Sequence, residues 1–281
     1  MAWRPVKSKK RHGMESALSR AMSTSRIDAS RSLEDRLGLY SMNRESEIAQ
    51  NLASVEAQIG DAVVAAGRKR SEITLVVVTK NFPVSDMKIL YELGIRDFGE
   101  NREQEASAKV EHFASAADRD YSDIRWHFQG QLQRNKLPSI GSWAHLVHSV
   151  DDQKYLKGLS DSANKSGRSL QCLIQISLDR EFRVGRGGID LIGAQELLSY
   201  AEAEQSAGLL SGVFITGLMG VAPLGEEPDV AFRELQRVFA QLKEQFPALE
   251  KISAGMSGDF LPAISCGATH LRIGSSILGS R

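Results

Sequence analysis

The sequence predicts one (β/α)8 barrel, and three observations carry that prediction. Eight short strand-like runs alternate with helical stripes over about 240 residues, and strict βα alternation at that length demands a closed parallel sheet. The first run, ITLVVVTK at residues 73–80, is a continuous β-branched stretch of the kind buried on both faces of a parallel sheet. No GxGxxG motif follows it, which removes the dinucleotide-binding version of an open doubly wound sheet.

The elements can be placed in order. Residues 45–66 read as a helix, with Ile48, Leu52, Val55 and Ile59 at three-to-four spacing. Pro83 stops the first strand, and Met87, Leu90 and Leu93 mark a helical stripe that ends at Gly94. Further strand-like runs lie at residues 95–99, 124–130, 144–150, 170–177, 212–219, 251–253 and 269–273. Between them, Tyr155, Leu156 and Leu159 form one helical face, with Asp151 the expected N-cap. Ile192, Leu197, Leu198 and Ala201 form another, and Leu235, Val238, Phe239 and Leu242 make the clearest stripe in the chain.

The chain of 281 residues carries 35 basic and 35 acidic side chains. No basic surplus is available for broad nucleic-acid binding, so any anion must be held locally. No run approaches the roughly 20 apolar residues that a membrane-spanning helix requires. Cys172 and Cys266 are too few and too far apart for a disulfide framework or a Cys-based zinc site. Both fall in segments expected to be buried, which favours a reducing, cytoplasmic setting. Residues 1–41 hold nine basic and four acidic residues, with many Ser and few aliphatics. They lack the apolar core of a secretory signal. They read as a disordered extension or as sequence ahead of a true start at Met42, with a transit-like leader or electrostatic tether as the functional alternative. The barrel is therefore expected to occupy residues 42–281.

A barrel builds its site at the C-terminal ends of its strands and commonly holds phosphate after strands 7 and 8, so the residues there form one constellation. Strand 1 ends in Thr79-Lys80. A lysine leaving an apolar run into the barrel mouth is expected to be partly desolvated, which favours the neutral, nucleophilic amine of Schiff-base chemistry; a lysine that merely snorkels is the structural alternative. Strand 2 ends in FGENREQE, where Asn101 either caps the next helix or presents its amide to a ligand. Strand 3 contributes WHFQGQLQRNK, in which His127 and Phe128 point to opposite faces. A single interior histidine is more often a hydrogen-bonded core residue than a catalyst. Strand 6 gives GLMGVAP, a glycine-flanked turn around Met219 that lets backbone approach a ligand closely. Strand 7 opens into SAGMSGD, where backbone N–H groups around Gly258, with Ser257 as an added donor, form an anion cradle. Strand 8 gives LRIGSSILG, whose Gly274 and Ser275 offer a second set of donors, with Arg272 directed into the barrel one pleat earlier. An amine, a phosphate cradle and an inward arginine suit a phosphorylated aldehyde. Pyridoxal 5′-phosphate (PLP) fits, and so does a sugar phosphate in a Schiff-base aldolase; the spacing does not separate them.

VVVTK, GENREQE, WHFQGQLQRNK, GLMGVAP and SAGMSGDFLPAISCGATHLRIGSSILG resemble, in this order, the motifs of the pyridoxal phosphate homeostasis protein family (the YggS/PROSC group), and the resemblance covers residues 44–281. It implies a fold-type III PLP-binding TIM barrel like the N-terminal domain of alanine racemase, without the racemase's C-terminal β-domain. Carried over by motif, it implies that Lys80 forms the aldimine with PLP and that Arg272 faces the pyridine nitrogen. Ser257, Gly274 and Ser275 would hold the phosphate, and Asn101 would line the pocket near the ring. With His127, Met219 and Gly258 from the strand ends, these make the candidate cofactor-binding set; no catalytic or metal-ligating residue is expected. The resemblance further implies a protein that binds, buffers or delivers PLP in vitamin B6 homeostasis, with PLP itself and PLP-dependent apoenzymes as partners. One segment departs from the family pattern: DREFRVGRGG, residues 179–188, carries Arg183 and Arg186 in place of a Lys-x-Gly sequence.

The same residues argue against committed turnover. An arginine beside the pyridine nitrogen disfavours its protonation and leaves the cofactor a weaker electron sink than a carboxylate partner would. Racemisation needs a base on each face of the substrate α-carbon. Lys80 serves one face; in alanine racemases the second base comes from the separate β-domain, which is not expected in a chain that ends at Arg281, directly after strand 8. The open mouth then leaves the bound cofactor exchangeable, as a carrier needs. A weak PLP-dependent racemase or lyase is the alternative. Without a second domain to dimerise through, a monomer is expected.

Overall fold

β1 (Thr74–Val78) pairs in parallel with β2 (Asp97–Glu100) on one side and with β8 (His270–Ile273) on the other, and the second pairing closes the sheet. Between them β3 (Arg125–Phe128), β4 (Leu146–Val150), β5 (Leu170–Ile176), β6 (Val213–Gly220) and β7 (Lys251–Ser253) follow in chain order, giving the expected eight-stranded closed barrel. The computed structural model describes residues 33–179 and 187–280. The leader through residue 32 and the Arg183 and Arg186 substitutions lie outside the described residues.

Parallel neighbours require crossovers, and helices supply them. α1 (Leu33–Ala65) precedes the barrel strands. α2 (Val84–Glu92), α3 (Glu103–Ala114), α4 (Leu137–Trp143) and α5 (Leu156–Lys165) follow β1 to β4 in turn. α6 (Leu191–Ser206), α7 (Pro228–Gln245), α8 (Phe260–Ser265) and α9 (Ser275–Leu278) follow β5 to β8. The chain divides into two compact units, residues 1–47 and 48–281. In the first, residues 33–47 are helical, and Arg44 pairs with Glu47 at 2.8 Å. In the second, Ile48, Leu52, Val55 and Ile59 bury the predicted stripe of α1.

Local signals explain where the helices begin. Pro228 opens α7, where its missing N–H costs nothing. The Asp190 carboxylate caps α6 by accepting the Gly193 N–H at 2.8 Å. The helix stripes pack on outward strand residues: Met87, Leu90, Ile140, Leu159, Leu235 and Leu242 bury against Val77, Phe98, Phe128, Cys172 and Leu218 in one continuous core. Full burial of each leucine contributes about 2 kcal/mol of transfer free energy. The barrel interior is different. Leu146, Leu173 and Met219 form a small separate apolar cluster on β4 to β6, and His127, His148, Ser253 and Arg272 add buried polar side chains. Branched aliphatics usually occupy those positions in such barrels.

Several expectations are corrected. α1 begins at Leu33, ahead of the expected Glu45. Asp152 rather than Asp151 caps the turn after β4, accepting the Lys154 N–H at 2.9 Å; Asp151 instead accepts the Gly188 N–H at 3.2 Å. Asn101 does not cap α3, whose N-cap position is Arg102. Ile192 and Leu93, placed on buried stripes by periodicity, are 66% and 40% exposed. Cys172 and Cys266 are buried and unpaired, as expected; burial pushes the Cys172 thiol up to about 12, so it acts as a small hydrophobe.

Candidate functional site

The C-terminal ends of the strands enclose a cavity of about 530 Å³. Eight of the nine predicted residues line it: Lys80, Asn101, Met219, Ser257, Gly258, Arg272, Gly274 and Ser275. His127 does not. It is the third residue of β3 and sits one pleat too deep, its ring held between Asp97 and His148 at 2.9 Å on each side. Gln129, the next residue of the same inward-facing row, takes the place at the cavity wall.

Lys80 reaches the cavity from the turn after β1. The expected desolvation is absent, for Lys80 is exposed, and its amine forms no ion pair or hydrogen bond among the described residues. Its backbone, by contrast, is stapled from below. The buried Lys109 ammonium uses all three protons, donating to the Thr79 carbonyl at 2.8 Å, to Glu100 Oε1 at 2.7 Å and to Glu105 Oε1 at 2.7 Å. Thr79 Oγ1 donates to the same Glu100 oxygen at 2.7 Å, and the Asn81 N–H donates to Glu105 Oε1 at 2.5 Å. Asn81 adopts φ 65°, a left-handed conformation that Asn tolerates better than most side chains. Burial raises the Glu100 carboxyl, with Lys109 opposing.

Asn101 enters at the end of β2. Its backbone is fixed by close approach of the β3 end, since a Cβ on Gly130 would lie 2.0 Å from the Asn101 carbonyl oxygen. Its Oδ1 is a buried acceptor without a hydrogen-bond partner among the described residues. Arg272, 4% exposed, donates from Nη1 to Ser253 Oγ at 2.6 Å and from Nη2 to the Gly220 carbonyl at 3.0 Å. Burial pulls its guanidinium down to about 10, still far above neutrality, so it presents a positive charge to the cavity. At the other wall, the turns after β7 and β8 are tied together, because the Ser276 N–H donates to Ser257 Oγ at 3.2 Å. Gly274 is favoured by space rather than by dihedral angle: a Cβ there would lie 3.0 Å from the Val78 carbonyl oxygen, a tight contact. Within the first turn of α9 the Ser276 N–H is taken by Ser257 and the Ile277 N–H donates to the Gly274 carbonyl at 3.0 Å, which leaves the Ser275 N–H for a ligand. The cavity thus combines an exposed amine, a buried cation and two small-residue turns. Among the described residues no cluster of His, Cys, Asp or Glu could hold a metal ion.

Residues 48–281 match the family described as alanine racemase, N-terminal domain. Fold and site therefore place the chain in the class of alanine racemase-like barrels. The pyridoxal phosphate homeostasis protein of Mycobacterium tuberculosis (strain H37Rv) is 39% identical over 251 residues, covering 85% of this chain and 95% of that protein. The protein of the same name from Escherichia coli (strain K12) is 35% identical over 240 residues, covering 84% and 97%. The chain belongs to the pyridoxal phosphate homeostasis protein family. Among solved structures, PipY of Synechococcus elongatus PCC7942 with PLP bound is similar with a TM-score of 0.68 at 31% identity, covering 83% of this chain and 100% of that chain. An alanine racemase of Clostridium difficile 630 in complex with cycloserine reaches 0.60 at 11% identity, over 84% of this chain and 60% of that one, a likeness in fold alone.

Sequence reasoning missed Asn81, Phe82, Gln129, Val221 and Met256, which also line the cavity. It also missed the Lys109 cluster, although Glu105 and Lys109 stand at the i, i+4 spacing of a helical ion pair. The buried partners of Arg272 left no signal, because each comes from a different strand.

Proposed function

We propose that the cavity holds pyridoxal 5′-phosphate through Lys80 and that the protein serves intracellular PLP homeostasis, retaining the cofactor without committed turnover. The observation that carries this reading is the convergence of the Lys80 amine, the Arg272 guanidinium and two small-residue turns on one cavity. The residues fit the group. The volume is in the range of small-molecule sites, the buried Asn101 Oδ1 lacks a partner among the described residues, and any side chain at Gly274 would crowd the cradle against Val78.

When bound, PLP would supply an electrophilic aldehyde. Lys80 would provide the amine that meets it, and the staple around Thr79 and Asn81 orients that amine. Ser257, Ser275 and N–H groups near Gly258 and Gly274 would hold the phosphate, Asn101 and Met219 would flank the ring, and Arg272 would meet the pyridine nitrogen. A fixed cation there disfavours protonation of that nitrogen and leaves the cofactor a weak electron sink, which suits retention over catalysis. His127 is a support beneath the site in this reading rather than a contact. The shared name of the relatives and the PLP in PipY support the same conclusion. Delivery to PLP-dependent apoenzymes in the cytoplasm and a monomeric state belong to the proposal; among the described residues no helix is long and apolar enough to cross a membrane.

The test is an absorption titration of purified protein with PLP, wild type against Lys80→Ala. The proposal expects a band near roughly 420 nm in the wild type, lost in the variant, and no steady formation of a D-amino acid from its L-form. Turnover that Lys80→Ala abolishes would make the protein an enzyme. A wild type without the band after added PLP would assign the cavity to another ligand.

A further inference from the structure

A chain of buried side chains runs beneath the cavity through the barrel interior. Arg272 Nη1 meets Ser253 Oγ at 2.6 Å, Ser253 Oγ meets His148 Nδ1 at 2.8 Å, His148 Nε2 meets His127 Nδ1 at 2.9 Å, and His127 Nε2 meets Asp97 Oδ1 at 2.9 Å. Five strands contribute: β8, β7, β4, β3 and β2. At its far end Asp97 is also held by Arg125, Nε to Oδ1 at 2.7 Å.

The chemistry at the two ends is satisfied by one continuous proton order. Arginine only donates, so Ser253 Oγ accepts from it, and the hydroxyl proton is left for His148 Nδ1. Ionised Asp97 only accepts, so His127 donates from Nε2; a ring with one proton then accepts at Nδ1, and His148 donates from Nε2. Both ends require the same tautomers without conflict. Burial keeps His148 neutral, as the order needs. Every dipole in the series points the same way, and such chains polarise cooperatively in a low-dielectric interior. Among the described residues Arg272 has no carboxylate within hydrogen-bond distance; its contacts are a hydroxyl and a carbonyl, and Asp259 acts on it only through space.

We infer that Ser253, His148 and His127 act as positioning residues that carry the negative charge of Asp97 to Arg272, fixing the orientation and charge with which Arg272 meets the cofactor ring. This role rests on the PLP reading of the cavity. Asp97 thereby serves as a hydrogen-bonded remote counter-ion from the opposite end of the barrel, in addition to the through-space effect of Asp259. A carboxylate placed directly against Arg272 would occupy donors that otherwise face the ligand.

Two measurements test it. In the PLP-free full chain, long-range ¹H–¹⁵N spectra should show both His127 and His148 protonated at Nε2; a His148 protonated at Nδ1 would overturn the proton order. In PLP binding, His148→Leu and Ser253→Ala should each weaken affinity about ten-fold or more and displace the absorption maximum of the bound cofactor. His148→Gln, whose amide can accept at one atom and donate at the other, should stay within about three-fold of wild type. Wild-type affinity and an unmoved maximum in both disrupting variants, despite lowered stability, would make the chain a folding feature only and overturn the inference alone. Should His148→Leu fail to fold, Ser253→Ala, which removes a single oxygen, decides the same point. A wild type that takes up no PLP overturns the cofactor reading, and with it the role toward the ring.

Discussion

Burial pulls the His270 imidazole down to about 3 and holds His148 well below its usual range, so both stay neutral in the folded barrel while their unfolded counterparts titrate near 6.5. Below that pH the unfolded chain gains protons that the native state refuses, and stability falls as pH falls. Asp97 adds to the decline at lower pH. Burial alone would raise its carboxyl, but hydrogen bonds from His127 and Arg125 outweigh burial and hold it well below the usual carboxylate range. Its contribution is present above the unfolded value and is lost as pH drops through the folded one. Glu100, raised by burial, works in the opposite direction. The urea midpoint should therefore drop between pH 7 and pH 5, by on the order of 1 kcal/mol of stability per pH unit for each histidine below its unfolded pKa. A flat midpoint over that range would contradict the buried neutral assignment. At this scale the sequence revealed residues whose role follows from position along a strand. Lys80 and Arg272 stand at strand ends and were legible; His148 and Ser253 act through partners on other strands and were not.

The staple under the β1 turn joins three elements: Thr79 after β1, Glu100 on β2, and Glu105 and Lys109 on α3. Its Lys109–Glu100 pair is buried and runs through Oε1, and Glu100 Oε2 has no hydrogen-bond partner among the described residues. Removing the cation strands a buried carboxylate, so Lys109→Met should lower stability by about 3–5 kcal/mol and loosen the turn that carries Lys80. The matching change at the exposed Lys154–Asp152 pair should do little. Equal urea midpoints for Lys109→Met and wild type would show that the staple is dispensable. Periodicity located every strand and most helix faces because each strand needs a buried run and each helix a buried stripe. It failed at the ends. α1 starts at Leu33, and the cap after β4 is Asp152, since two adjacent aspartates can each serve as cap and only the path of the chain selects one.

The closed sheet makes one molecule of these parts. Eight parallel strands bring residues from 80 to 275 to a single rim, which is why a site spread over most of the chain could be read from strand ends alone. The polar filling of the barrel was not legible in the same way. Alternation along a strand shows which residues point inward, but hydrogen-bonded pairing across the interior depends on register and twist that no single segment encodes. The result is a barrel whose apolar interior cluster lies on β4 to β6 and whose charge-ordered side chains support Arg272 from below. Whether this rim holds PLP through one lysine is decided by borohydride reduction of PLP-loaded full-length protein followed by peptide mapping. A pyridoxyl group on Lys80 is expected as the dominant modification. Label confined to other lysines, or no label at all, would contradict it.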